Sequence, residues 1–69
     1  MANVVDARGL SGPQPVILAQ KAILAGEFPI EVLVDTEAAR DSVERLGRKI
    51  AYYTNVEQVD DEFKVTISK

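Results

Sequence analysis

The chain contains no cysteine and no histidine among its 69 residues. That excludes disulfides, thiolate and imidazole metal sites, and every catalytic arrangement built on a cysteine or a histidine. It also leaves the composition silent on redox compartment. Unbroken apolar runs reach only a few residues, far short of the ~20 that a membrane-spanning helix needs. Met1-Ala2-Asn3 carries neither a basic stretch nor a long apolar one, so no signal peptide is read, and a cytoplasmic protein without a membrane partner is expected. The net charge of −3 argues against an extended nucleic-acid surface. No Ser/His/Asp set or pair of buried carboxylates can be assembled, and Gly9 and Gly12 are too sparse for a phosphate cradle. The expectation is a protein that is not an enzyme and holds neither metal nor cofactor.

What is present reads as one globular domain over 1–69: 46% of residues are hydrophobic and 28% charged. The length is near the lower limit for a chain that folds without staples. Asn3 to Ala7 is β-prone. From Pro13 the pattern turns helical, with Val16, Ala19, Ile23 and Leu24 on one stripe that also takes in Gln20, while Gln14 and Lys21 fall off it. Gly26 stops that helix in the manner of a left-handed C-terminal residue. Ile30 to Val34 is dense enough in apolar residues to be a central strand. Asp35 or Thr36 caps a second helix with the stripe Ala39, Val43, Leu46, and Gly47 ends it. Asp41 with Arg45 and Glu44 with Arg48 form i,i+4 pairs on its outer side.

The last third changes period. Ile50, Tyr52, Thr54 and Val56 alternate with Ala51, Tyr53, Asn55 and Glu57; Phe63, Val65 and Ile67 alternate with Lys64, Thr66 and Ser68. This is an antiparallel hairpin with one buried face, near residues 49–67. Tyr52 and Tyr53 then point to opposite faces, one to the core and one to an uncovered sheet. The order β-α-β-α-β-β with only two helices predicts an α/β two-layer sandwich: a four-stranded mixed sheet, helices on one face.

The stretch between the first strand and the first helix, Asp6-Ala7-Arg8-Gly9-Leu10-Ser11-Gly12-Pro13-Gln14-Pro15, is the most specific in the chain. Pro13 and Pro15 donate no backbone hydrogen bond and fit only a first helical turn. Pro13 is therefore read as the first helical residue and Gly12 as the cap. The positive end of the helix makes Gly12 a weak anion-attracting spot. A thiol there would be held largely as thiolate, with Arg8 reinforcing the effect.

On these residues the chain resembles the TusA/SirA/YedF family of small sulfur-carrier proteins, whose signature runs Asp-x-Arg/x-Gly-Leu-x-Cys-Pro-x-Pro. Asp6, Arg8, Gly9, Leu10, Pro13 and Pro15 match it. Residues 32–47, VLVDTEAARDSVERLG, are similar to the family's second strand and helix, closest to the YedF branch linked with selenium metabolism. The resemblance implies the two-layer fold, persulfide transfer between protein partners such as a cysteine desulfurase and a downstream sulfur acceptor, and a partner-binding loop at Asp6, Arg8, Gly9, Leu10, Ser11, Gly12, Pro13, Gln14 and Pro15. It aligns the carrier cysteine with Gly12, which has nothing to carry sulfur on, and Ser11 beside it offers only a hydroxyl. The chain then reads as a relay domain that transfers no sulfur itself, or as a thiol-less binding or regulatory module that keeps the docking surface. Some YedF-branch proteins continue into a second domain, so an N-terminal domain of a longer protein fits equally.

The other features have plainer readings beside the functional ones. Gly12 is a cap needing an unusual backbone angle, or the site of an absent cysteine. Asp6 and Arg8 are a turn-stabilising pair, or partner contacts. Asp60-Asp61-Glu62 is a solvated turn, with a hard cation such as calcium the rarer alternative. Arg45, Arg48 and Lys49 complement the helix dipole, with an acidic partner second.

Overall fold

The computed structural model describes residues 3–26, 28–50 and 52–69. In chain order it holds β1 (Asn3–Asp6), α1 (Gln14–Ala25), β2 (Ile30–Val34), α2 (Glu37–Lys49), β3 (Tyr53–Val59) and β4 (Glu62–Ser68). The four strands form one sheet in the order β1-β2-β4-β3. β1 runs parallel to β2, pairing Asn3 with Ile30 and Val5 with Val32. β4 runs antiparallel to β2 and to β3, placing Val32, Val65 and Val56 in one row across the sheet.

Alternation assigns the faces. Ile30, Val32 and Val34 of β2 and Phe63, Val65 and Ile67 of β4 are buried, while their neighbours in sequence are only partly so. Both helices pack on that face and on each other, which makes the expected two-layer sandwich. Ala19 and Ala22 of α1 and Ala39 and Val43 of α2 close the core. Small residues on the helices let them approach the branched side chains of the sheet closely.

α1 lies in a different phase from the expected stripe. Its buried residues are Pro15, Ala19 and Ala22, with Val16 and Ile23 at the flank. Leu24 is 83% exposed, and Gln20 is exposed too. Val16-Ile17-Leu18-Ala19 and Ala22-Ile23-Leu24-Ala25 are apolar on every side, so periodicity leaves the phase open, and alanines win the inner positions because they fit under the sheet's branched residues. Gly26 takes the left-handed angle expected of a C-terminal residue, φ 75°, and donates its N–H to the Ala22 and Ile23 carbonyls.

In α2, Thr36 rather than Asp35 is the cap: its hydroxyl accepts a hydrogen bond from the Ala39 N–H at 3.1 Å. Gly47 does not end the helix, which continues to Lys49. Gly47 is a buried interior residue lying against Thr54 of β3, and its missing side chain lets helix and strand meet. The longer helix moves the hairpin. Ile50 follows α2 instead of opening a strand, and the strands are 53–59 and 62–68. The inward parity of Thr54 and Val56 is as expected, and Tyr53 lies 79% exposed on the open sheet face. Tyr52 packs edge-on to Phe28, with ring centroids 5.0 Å apart. Ala51, assigned to the alternation, lies outside the described residues.

Candidate functional site

The loop from Ala7 to Pro13 hangs between the end of β1 and the start of α1, and three contacts shape it. The Ala7 N–H donates to the Leu33 carbonyl at 2.9 Å, carrying the β1–β2 pairing one residue past the strand. Gly9, at φ 78°, donates its N–H to Asp35 Oδ2 at 2.9 Å. The third is a clasp on Arg8. Its Nε donates to Asp6 Oδ1 at 2.8 Å and its Nη2 to Asp6 Oδ2 at 2.9 Å, a bidentate fork. Its Nη1 reaches Glu62 Oε1 of β4 at 3.1 Å. The Arg8 hydrogen bonds and charge hold the Asp6 carboxyl down at about 2; its carboxylate partners, Asp6 first, push the Arg8 guanidinium further up.

This clasp changes the role expected of Arg8. The guanidinium faces two carboxylates and is not a free cation beside Gly12, so the rim around the loop, with Asp6, Asp35 and Glu62, carries more negative than positive charge. Asp35 and Glu62 enter the site from outside the signature stretch. Asp35 stood in the sequence as a helix-cap candidate, and Glu62 stood in the acidic turn. In the structure Asp60 and Asp61 make that turn, Asp60 at φ 56°, while Glu62 opens β4. No cluster of three or more Asp or Glu among the described residues could hold a metal ion.

At the tip, Ser11, Gly12, Pro13 and Gln14 are exposed, Leu10 is half-buried, and Pro15 is buried under the first turn of α1. The cap is Pro13, one residue later than expected, and no side chain caps the helix. Gly12 instead takes a left-handed angle, φ 65°, which reverses the chain into Pro13. A Cβ built on it meets nothing within 4 Å. The helix mouth thus faces solvent with no acidic residue in its first turn, which leaves its partial positive charge available at Gly12.

A further surface runs along α1 away from the tip. Ile17 and Leu24 are 44% and 83% exposed on the outer side of α1, and Gln14 and Lys21 lie on that same side, at i, i+3, i+7 and i+10. Two large apolar residues exposed between polar ones along the outer side of α1 were not anticipated; their place outside the correct core phase was the only sequence signal. On α2, Arg48 is paired to Glu44 at 2.8 Å, and Arg48 and Lys49 sit in the last turn, where cations complement the helix dipole. Asp41 pairs with its neighbour Arg40 at 2.9 Å rather than with Arg45.

Fold and site together define a class: a small two-layer α/β domain that presents a proline-braced loop at the open mouth of its first helix. A family model described as Sulfurtransferase TusA matches residues 3–69. The crystal structure of a SirA-like protein from Desulfitobacterium hafniense superimposes with a TM-score of 0.87 at 29% identity, covering 99% of this chain and 96% of that one. The curated proteins searched contain no match. The chain belongs to the TusA family of sulfur-relay proteins, and it has no cysteine. No helix among the described residues is long and apolar enough to cross a membrane.

Proposed function

We propose that this chain is a docking domain of a cytoplasmic sulfur relay that binds the relay's proteins but carries no sulfur and catalyses no reaction. Gly12 stands where the family signature has its carrier cysteine. The observation that carries the reading is the geometry at that residue: exposed at the mouth of α1, with open space where a side chain would project. The presentation loop is intact and braced by Asp6, Arg8, Asp35 and Glu62, and the exposed Ile17 and Leu24 extend it into a surface for a protein partner, a cysteine desulfurase or a downstream acceptor. The YedF likeness of residues 32–47 ties the same role to selenium metabolism.

The test is Gly12→Cys. A persulfide donor passes its outer sulfur to an attacking thiolate, leaving its own sulfur as thiolate, so the acceptor gains one sulfur atom. The chain as it stands is expected to gain none on incubation with a desulfurase and cysteine, followed by mass spectrometry. The Gly12→Cys protein is expected to gain one. Its thiolate would be favoured by the helix mouth alone, since Arg8 is engaged, and a side chain at a left-handed angle costs about 1–2 kcal/mol of stability. Sulfur on the unsubstituted chain would refute the reading of Gly12. A Gly12→Cys protein that binds the desulfurase yet gains no sulfur would favour the second reading, a regulatory module whose loop has drifted from transfer geometry. That reading draws on the acidic rim around Arg8.

A further inference from the structure

β3 lies at an edge of the sheet, because the order β1-β2-β4-β3 gives it a neighbour on one side only. An edge strand shows a row of unpaired backbone donors and acceptors, and proteins commonly guard it with brevity, proline, lysine or a bulge. The opposite edge, β1, is four residues long. β3 is seven residues long, Tyr53–Val59, with no proline or lysine and a single charge, Glu57. It pairs with β4 at every position without a bulge. Its ends carry exposed apolar side chains, Tyr53 at 79% and Val59 at 46%.

We propose that β3 pairs antiparallel with β3 of a second copy of this chain, about a two-fold axis perpendicular to the sheet that passes between the two Val56 residues, joining two four-stranded sheets into one. Val56 is the midpoint of β3, so this register pairs all seven residues. Residues directly opposite each other share a face. On the open face Tyr53 meets Val59 of the second copy, and Asn55 meets Glu57, an amide donor against a carboxylate. On the helix side Thr54 meets Gln58, and Val56 meets its own copy. No like charges stand opposite. Moving the axis to Glu57 sets that carboxylate against itself; moving it to Asn55 leaves Val59 without a partner. The full-length register is therefore the one that the charges favour, and every contact off the axis occurs twice, as in a two-fold interface. The pairing is independent of the docking loop, which follows β1 on the other edge.

Sedimentation equilibrium from about 10 μM to about 1 mM, a range that brackets weak association, tests it. The unsubstituted chain is expected to pass from monomer to dimer within that range. Asn55 is exposed, so charges placed there leave the core alone, and circular dichroism verifies that each variant is folded. Asn55→Lys sets a cation against Glu57 of the second copy and is expected to tighten the dimer roughly three- to tenfold, whereas Asn55→Glu is expected to weaken it by a similar factor. A chain that stays monomeric throughout the range overturns the proposal. So do Lys and Glu substitutions that move the dissociation constant in the same direction, or assembly that continues beyond two copies.

Discussion

A methyl group added at Gly47 would collide with Thr54. The added Cβ would overlap the Thr54 hydroxyl oxygen and sit 3.1 Å from its methyl carbon and 3.2 Å from its Cβ. Thr54 has little room to yield, because its hydroxyl donates to the Tyr52 carbonyl at 3.2 Å and its strand is paired to β4 along its whole length. Two effects oppose each other in Gly47→Ala. Alanine in a helix interior is favoured over glycine by about 1 kcal/mol. Overpacking a close contact costs typically ~1–3 kcal/mol. The collision wins, and a net loss on the order of 1 kcal/mol is expected, or a fall in Tm of roughly 4–8 °C for a domain of this size. Truncating Thr54 to alanine removes the hydroxyl and methyl that the new Cβ meets. In the Thr54→Ala background, Gly47→Ala is therefore expected to be neutral or stabilising, with a coupling between the two sites of about 1 kcal/mol or more. Urea unfolding of the four proteins of this cycle, followed by circular dichroism, measures it. A Gly47→Ala protein more stable than its parent, or a coupling indistinguishable from zero, would refute the close approach of α2 to β3.

Asp6 should titrate near 2 in the folded chain, and Arg8→Leu should return it toward its ordinary 3.8, both read from carboxyl shifts by NMR. Because the folded value is depressed, the stabilisation linked to Asp6 is complete above 3.8 and is lost as pH falls from there through about 2. Arg8→Leu should flatten that acid limb. Thr36→Ala removes the acceptor for the Ala39 N–H and should cost about 1 kcal/mol in urea unfolding. Leu24→Ser alters an exposed position and should change stability by less than about 0.5 kcal/mol, while weakening desulfurase binding in a pull-down titration. Unchanged binding would remove the outer face of α1 from the docking surface.

The loop between β1 and α1 was legible because its determinants are short-range and chemically unusual. Two prolines without donors and glycines free to turn restrict the backbone wherever the chain folds, and they marked the loop and the helix start to within one residue. The bracing was not legible. Arg8 could be seen beside Asp6, but nothing local links it to Glu62 near the other end of the chain, and Asp35 looked like a cap because a carboxylate before a helix usually is one. Asp41 and Arg45 have ideal spacing for a pair, yet Arg40, whose guanidinium also stacks on Phe63 at 4.7 Å, takes Asp41 instead.

The sequence by itself determined the order of elements, the single buried face of the sheet and the absence of a thiol. Period-two alternation, helix caps and glycine stops act through residues within about four positions of each other, and composition needs no folding at all. Tertiary structure alone decided the phase of α1, the continuation of α2 through Gly47, the partners of Arg8 and the strand order that leaves β3 at an edge. Each of these is settled by which atoms meet across the core or across the sheet: alanines under branched side chains, a glycine against Thr54, a guanidinium between two distant carboxylates. Such contacts depend on elements far apart in the chain coming together, and no local pattern encodes them.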